Sequence, residues 1–395
     1  MTDSIPDTVL ARFTAAEASL VIDLRRDLHA HPELSWKEER TRDRLEATLR
    51  GAGISDVRRI ARTGLVARLP GRVEGAPVIA LRGDIDALPI HETTGLPYAS
   101  LSDGVMHACG HDVHASWAVG AALLLHRTPA DGAVRVVLQP AEEVGQGATE
   151  VLASGALDGV RAIFGAHVDR RFEVGQVVAQ AGPLAASTDS FTITLTGTGA
   201  HGARPHESAD PVVGLAALVT ALQIIISRRL DPAQPGVVTV GMVQAGTAPN
   251  IIPESAILRG TVRATTSAAR DLIVSEVDRL SFAIAAAHRL QAAVAWGDRT
   301  PPVVNSPDGA RWAVEAAVRV LGADAVVPLG TTNMGGEDFA FYLERMPGCF
   351  LRIGARERGG EVIAAHSPRF FPAEESLLVG AAVLAECARV ASREA

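Results

Sequence analysis

The sequence predicts an α/β protein of two domains, with a smaller α+β domain inserted into a mixed-sheet domain. Three observations carry this reading. Up to residue 185, apolar runs alternate with helical patterns, and three of these runs end in acids or histidine. Residues 186–298 switch to a β-α-β-β-α-β order, the split βαβ or ferredoxin-like pattern. Residues 299–395 return to the style of the first part. The 395 residues suffice for two such domains, one discontinuous (1–185 with 299–395) and one inserted (186–298).

The elements follow in order. Residues 8–30 carry Val9, Phe13, Ala16, Leu20, Ile22, Leu24 and Leu28 in a pattern that suggests an amphipathic helix, and Pro32 ends it. His29 and His31 beside it read as residues that orient and pack the turn. A second helix spans Glu38–Ala52. Strands follow at Val57–Ala61, Gly64–Leu69 and Pro77–Arg82, the last delivering Asp84 and Asp86 at its C-terminal end. In α/β folds that end of a strand is where sites are built, although two turn aspartates would look the same. A helix runs to Arg127, then a strand (Ala133–Leu138), a helix (Gly147–Ser154), and a short strand (Ala162–Ala166) that delivers His167.

In the insert, Ser190–Gly197, Val237–Gln244, Ile257–Arg263 and Gln291–Trp296 read as strands, with helices at Pro211–Leu230 and Ser267–His288. Its antiparallel sheet would have one face covered by the two helices. Beyond it come a helix (Arg311–Leu321), a loop with TTNMGGED, a strand (Phe350–Ile353) and a closing helix (Glu374–Ser392).

Composition narrows the function. Net charge is −8, which argues against nucleic acid or an anionic membrane as the main partner. Only three cysteines occur (Cys109, Cys349, Cys387), irregularly spaced, so no disulfide framework and a reducing cytoplasm are expected. The N-terminus lacks a basic region followed by an apolar one, so no signal peptide is expected. No uninterrupted apolar run reaches the roughly 18 residues of a membrane span, so none is expected.

The densest chemistry lies in MHACGHDVHA, 106–115, where His107, Cys109, His111, Asp112 and His114 crowd a helix entrance. Thiolate, imidazole and carboxylate are the ligands that zinc and its neighbours take. Gly110 lets the backbone turn between Cys109 and His111. A loop of scattered histidines would be the alternative. The next cluster is Glu142-Glu143, directly after a strand. Adjacent carboxylates repel unless a cation separates them. Beside a metal they take different jobs, one ligating and one free to take a proton from the attacking water. Both acids would also suit a helix N-terminus.

MHACGHDVH, LQPAEE, AHV at 166–168, GTGAHGARPH, APNIIP, GTVR, GGEDF and AHSPRF lie in order along almost the whole chain. In this the sequence resembles the aminoacylase/carboxypeptidase-type dinuclear metallopeptidases. The resemblance is closest to the branch of hippurate hydrolase, auxin-conjugate hydrolases and N-acyl-amino-acid amidohydrolases. It implies a zinc-peptidase-like catalytic domain with a lid or dimerisation insert. Cys109, His111, Glu143, His167 and His366 would hold two divalent metals (zinc, manganese, cobalt or nickel), with cysteine where other branches place a bridging aspartate. Glu142 would be general base and then acid, and Asp86 would back the ligands. His201 would stabilise the oxyanion, in its own subunit or its partner's. Asn250 and Arg263 would grip the substrate, and Gly335 and Gly336 would let the backbone approach it.

Without the resemblance, Arg263 reads as a strand-edge salt bridge, His201 as a cap for the helix at Pro211, and Asp338 as a helix N-cap. The basic stretch DRRFE (169–173) would favour acidic substrates if it lined the entrance. The expected activity is hydrolysis of an N-acyl amino acid in a cytoplasmic homodimer. The alternatives are a dipeptidase or carboxypeptidase of the same fold, or an inactive metal-binding homologue that kept its ligands.

Overall fold

A seven-stranded mixed sheet organises the first of two units in the computed structural model, which describes residues 6–395. Its order is Val57–Ile60, Gly64–Leu69, Val134–Gln139, Val78–Asp84, Val160–Glu173, Gly348–Arg356, Val177–Val178. The four strands from Val134–Gln139 to Gly348–Arg356 run parallel, and the flanking strands are antiparallel. Parallel strands buried on both faces read as continuous apolar runs. Val78–Asp84 does so, buried throughout except at Val78. In register, Asp84 lies opposite Gln139, so these two strands end level with one another.

Helix His111–Arg127 is buried from His111 to Leu125 and packs on helices Ala15–Ala30 and Ser376–Glu394. Gly110, at φ +87°, turns the chain into it. Gly83 permits its close approach to the sheet, since a β-carbon there would run into the carbonyl oxygen of His114.

This unit comprises the chain up to Gly182 with Val304–Gly330 and Asp338–Ala395. The second unit comprises Pro183–Val303 with Thr331–Glu337. Its four-stranded sheet has the order Gly236–Ala245, Ser255–Ala264, Thr188–Thr196, Gln291–Thr300, all antiparallel. That is the ferredoxin-like order the sequence pattern predicts. Helices Pro211–Ile224 and Ser267–Ala287 supply Leu215, Leu218, Leu222, Ile273, Val277 and Leu280 to a separate core with Ile193, Leu195 and Leu258.

Several expectations need correction. The single helix over 8–30 is two, Asp7–Leu10 and Ala15–Ala30, because Thr14 and Glu17 form a capping box that starts a new helix. His167 is not at a strand end. Val160–Glu173 runs on for six residues beyond it, its far half pairing through Arg356 and Glu173. DRRFE is therefore strand. Arg170 is buried against the carbonyls of Ala355, Phe371 and Glu361, and Arg171 is paired with Asp169, so neither is a free cation for a substrate. Among the described residues, one helix, Pro211–Arg229, is long and apolar enough to cross a membrane by length and composition alone, but its Leu215, Leu218, Leu222 and Ile225 are buried in the core of the second unit. A π-helical turn, Ile225–Arg229, extends it past the apolar run.

Candidate metal centre

Seven of the predicted site residues meet at the C-terminal side of the first sheet. Cys109 and His111 come from the turn into helix His111–Arg127, His167 from its strand, Asp86 from just beyond strand Val78–Asp84, Glu142 and Glu143 from the loop after Val134–Gln139, and His366 from the loop before the last helix. The ligand atoms of Cys109, His111 and His167 lie within 4.8 Å of one another, and so do those of Cys109, Glu143 and His366. Cys109 is common to both triads. Its Sγ is 3.3 Å from Nε2 of His167. Nε2 of His111 is 3.8 Å from Glu143 and 3.9 Å from Glu142, and Nε2 of His366 is 3.6 Å from Glu143.

Neighbours fix how these rings face. His167 donates its Nδ1–H to the carbonyl of Val168, leaving Nε2 for the centre. His111 presents Nδ1 to Oδ1 of Asp86 at 3.1 Å, so its Nε2 also points inward. The other oxygen of Asp86 accepts from the Ser35 hydroxyl (2.7 Å) and the Glu143 main-chain N–H (3.0 Å). One buried carboxylate thus orients a histidine and the backbone of a glutamate. Histidine ligands held through their second nitrogen in this way are a recurring feature of metal sites. Ala141 (φ +53°) and His366 (φ +67°) adopt the left-handed region rare for residues with a β-carbon. The amide of Ala141 is held by Glu38, and that of His366 by the carbonyl of Ala108.

Electrostatics show what this arrangement wants. Burial, with Glu143 nearby, pushes the Cys109 thiol up to about 12. Burial opposes charge on His111, yet Asp84 and Asp86 outweigh it and raise its pKa well above the ordinary range. Burial and His114 keep His167 well below its ordinary range, hence neutral. Buried Nε2 of His111 and Oε1 of Glu143 have no hydrogen-bond partner. A cation would satisfy the orphaned atoms, hold the thiol as thiolate and replace the proton that the acids draw onto His111. The residues fit divalent metal.

His201, Asn250, Arg263, Gly335 and Gly336 belong to the second unit. His201 and Asn250 line a shallow cavity of about 480 Å³ with Ala200, Ile252 and Glu254. Nδ1 of His201 accepts the Ala203 amide at 3.0 Å; the cap of the helix at Pro211 is Asp210 instead. Arg263 is on an interior strand of its sheet, not an edge. Its Nη1 donates to the carbonyl of Val262, and burial lowers its pKa. Gly335 donates its amide to Asn333. Gly336 packs so closely on Thr188 that a β-carbon would collide with the threonine hydroxyl.

Asp338 is not the side-chain cap of the helix that follows it; its carboxylate accepts the Ala148 amide in the first turn of helix Gly147–Ala153. The sequence reading missed Ser35, Arg82 and the reach of Asp338. Only the pairing of Arg82 with Asp84 is local in sequence; the other partners are distant along the chain.

An open set of thiolate, imidazole and carboxylate groups converging from a helix entrance, a strand and two loops has the ligand types of a metallohydrolase site. Residues 80–390 match the model of peptidase family M20/M25/M40, and the chain belongs to that family. It is a hydrolase of amide or peptide bonds that uses divalent metal. It is 42% identical to N-acetylcysteine deacetylase of Bacillus subtilis over 372 residues, 93% of this chain and 96% of that protein. It is 33% identical to thermostable carboxypeptidase 1 of Saccharolobus solfataricus, over 91% of this chain and 92% of that one. Among solved structures, the Bacillus subtilis YXEP protein, described as a dinuclear metal-binding peptidase of family M20, aligns with a TM-score of 0.85. The identity is 38%, covering 97% of this chain and all of that one.

Proposed function

We propose that this chain hydrolyses the amide bond of N-acyl amino acids, releasing an acid and a free amino acid. The carrying observation is the pair of ligand triads that share Cys109, with Glu142 beside them as an additional carboxylate. Cys109, His111, Glu143, His167 and His366 would hold two divalent ions: zinc, manganese, cobalt or nickel. When bound, such ions supply a hydroxide nucleophile at neutral pH and polarise the scissile carbonyl. Glu142 takes the proton of the attacking water and returns it to the leaving nitrogen. Asp86 holds the ring of His111 and the amide of Glu143.

In the second unit, acting as lid, His201 would donate to the oxyanion in its own chain or in a partner's. Asn250 and Arg263 would bind the substrate's carboxylate or carbonyl, and a guanidinium fork suits a carboxylate. Gly335 and Gly336 would leave room for substrate beside the backbone. A cytoplasmic homodimer is part of this reading; the three free, buried thiols are in keeping with a reducing compartment. A single-chain mass by light scattering at micromolar protein would remove the dimer and the cross-subunit role of His201. The two relatives named above are a deacetylase and a carboxypeptidase, which supports the amide chemistry and leaves peptidase action on the same site as the second reading.

The test is a panel of N-acetyl and N-benzoyl amino acids and dipeptides. It is run on chelator-stripped protein reloaded with each metal, with Glu142→Ala as control. Metal-dependent release of amino acid from the N-acyl substrates, absent in Glu142→Ala although metal still binds, is expected. Turnover of dipeptides alone would replace this reading with the peptidase one.

A further inference from the structure

A second polar cluster lies directly behind the metal centre, wholly inside the first unit. Arg82, Asp84, Gln139, Asp338 and Tyr342 are all at most 1% exposed. Oδ1 of Asp338 accepts from Nη2 of Arg82 at 3.0 Å. Nε2 of Gln139 donates to both oxygens of Asp338 at 2.9 Å. Oδ2 also accepts the Ala148 amide at 2.9 Å. Arg82 binds Oε1 of Gln139 through Nε and pairs with Asp84 through Nη1, and the Tyr342 hydroxyl donates to the same Gln139 oxygen. Asp84 in turn binds Nδ1 of His114 at 2.7 Å.

The placement of these contacts along the chain is what matters. Gln139 and Ala148 bracket the loop that carries Glu142 and Glu143, and one carboxylate grips both ends of it. The main-chain N–H of that same Asp338 donates to Oε1 of Glu142 at 3.4 Å. Such contacts are often long before substrate binds. Charge-assisted hydrogen bonds from several directions hold a carboxylate, and the backbone that bears it, with little freedom.

We propose that Asp338 is a positioning residue for Glu142. Its carboxylate, clamped by Arg82, Gln139 and the Ala148 amide, fixes the loop of Glu142 and aims its own N–H at the Glu142 carboxylate. This rests on the reading of Glu142 as general base.

The test is a double-mutant cycle of Asp338→Asn and Glu142→Gln on metal-loaded protein, with kcat, KM and metal content measured for each variant. Asp338→Asn should lower kcat by about 10–100-fold, the usual loss when a group that orients a metal-site residue is changed. KM should stay within about twofold, because the interaction acts on the chemical step rather than on substrate binding. Metal content should not change. In the Glu142→Gln background, Asp338→Asn should cost no more than about a further twofold, as residues acting as one unit are not additive. Full additivity, a rise in KM with kcat intact, or loss of metal in step with activity would each overturn the proposal. An unchanged kcat in Glu142→Gln would instead refute the general-base reading, whatever Asp338→Asn does. If Asp338→Asn does not fold, Tyr342→Phe carries the same cycle, since it removes only the hydroxyl on Gln139. A fall in kcat of about two- to fivefold that vanishes in the Glu142→Gln background supports the proposal, and an additive or absent fall overturns it.

Discussion

Replacing Asp86 by asparagine keeps the shape of the side chain and removes its ability to accept at both oxygens. In the native protein one oxygen faces Nδ1 of His111 at 3.1 Å. The other accepts from Ser35 (2.7 Å) and from the Glu143 amide (3.0 Å). Asparagine can retain an acceptor toward His111. It must then turn its NH₂ toward the Glu143 amide, donor against donor, at a position only 1% exposed. Losing one hydrogen bond to an ionised group costs about 1.5–3 kcal/mol. If that cost is felt in the metal-bound state, it corresponds to roughly 10–100-fold in metal affinity, the loss usually seen when a group behind the ligands is changed. Competition of the stripped variant against a chromophoric chelator, with zinc or manganese, measures it directly. An affinity within about twofold of the parent would refute the argument that Asp86 orients the ligands.

Two further outcomes follow from the same region. Burial holds His107 down to about 4, and both its ring nitrogens lack partners. The unfolded chain, with a histidine near 6.5, then binds more protons than the folded one between these values. Its contribution to stability is complete near pH 7 and falls as pH drops, by about 3 kcal/mol at pH 4. Chemical denaturation of metal-stripped protein at pH 7 and pH 4 should show this loss, and His107→Phe should reduce it; equal loss in the variant would show that another group titrates. Gly83→Ala should destabilise by about 1–3 kcal/mol, because the added carbon drives helix His111–Arg127 off the sheet. An unchanged melting temperature would mean that the helix shifts freely.

The candidate site was legible in sequence to the extent that its chemistry is local. Cys109 and His111 stand one glycine apart, and Glu142-Glu143 follows an apolar run, so both advertise themselves by residue type. His167 was read at the end of a short strand, and the structure places it mid-strand. Arg170 misled the reading because a basic residue in a long strand looks solvated until the carbonyls of Ala355, Phe371 and Glu361 are found around it. The capping box at Thr14 was local and could have been read; the apolar periodicity on both sides of it concealed the break.

The sequence by itself determined the alternation that makes the mixed sheet, the ferredoxin-like order of the insert and the supply of metal-binding side chains. These depend on periodicity and residue type, which act over a few positions at a time. Tertiary structure alone decided that Cys109 belongs to two triads at once and that Asp86 joins Ser35, His111 and Glu143. It alone decided that Asp338, some 190 residues away from Ala148, caps that residue's helix while donating to Glu142. Hydrogen bonds of this kind form between groups that chain folding brings together. Their geometry is fixed by packing, and packing leaves no pattern in the order of residues.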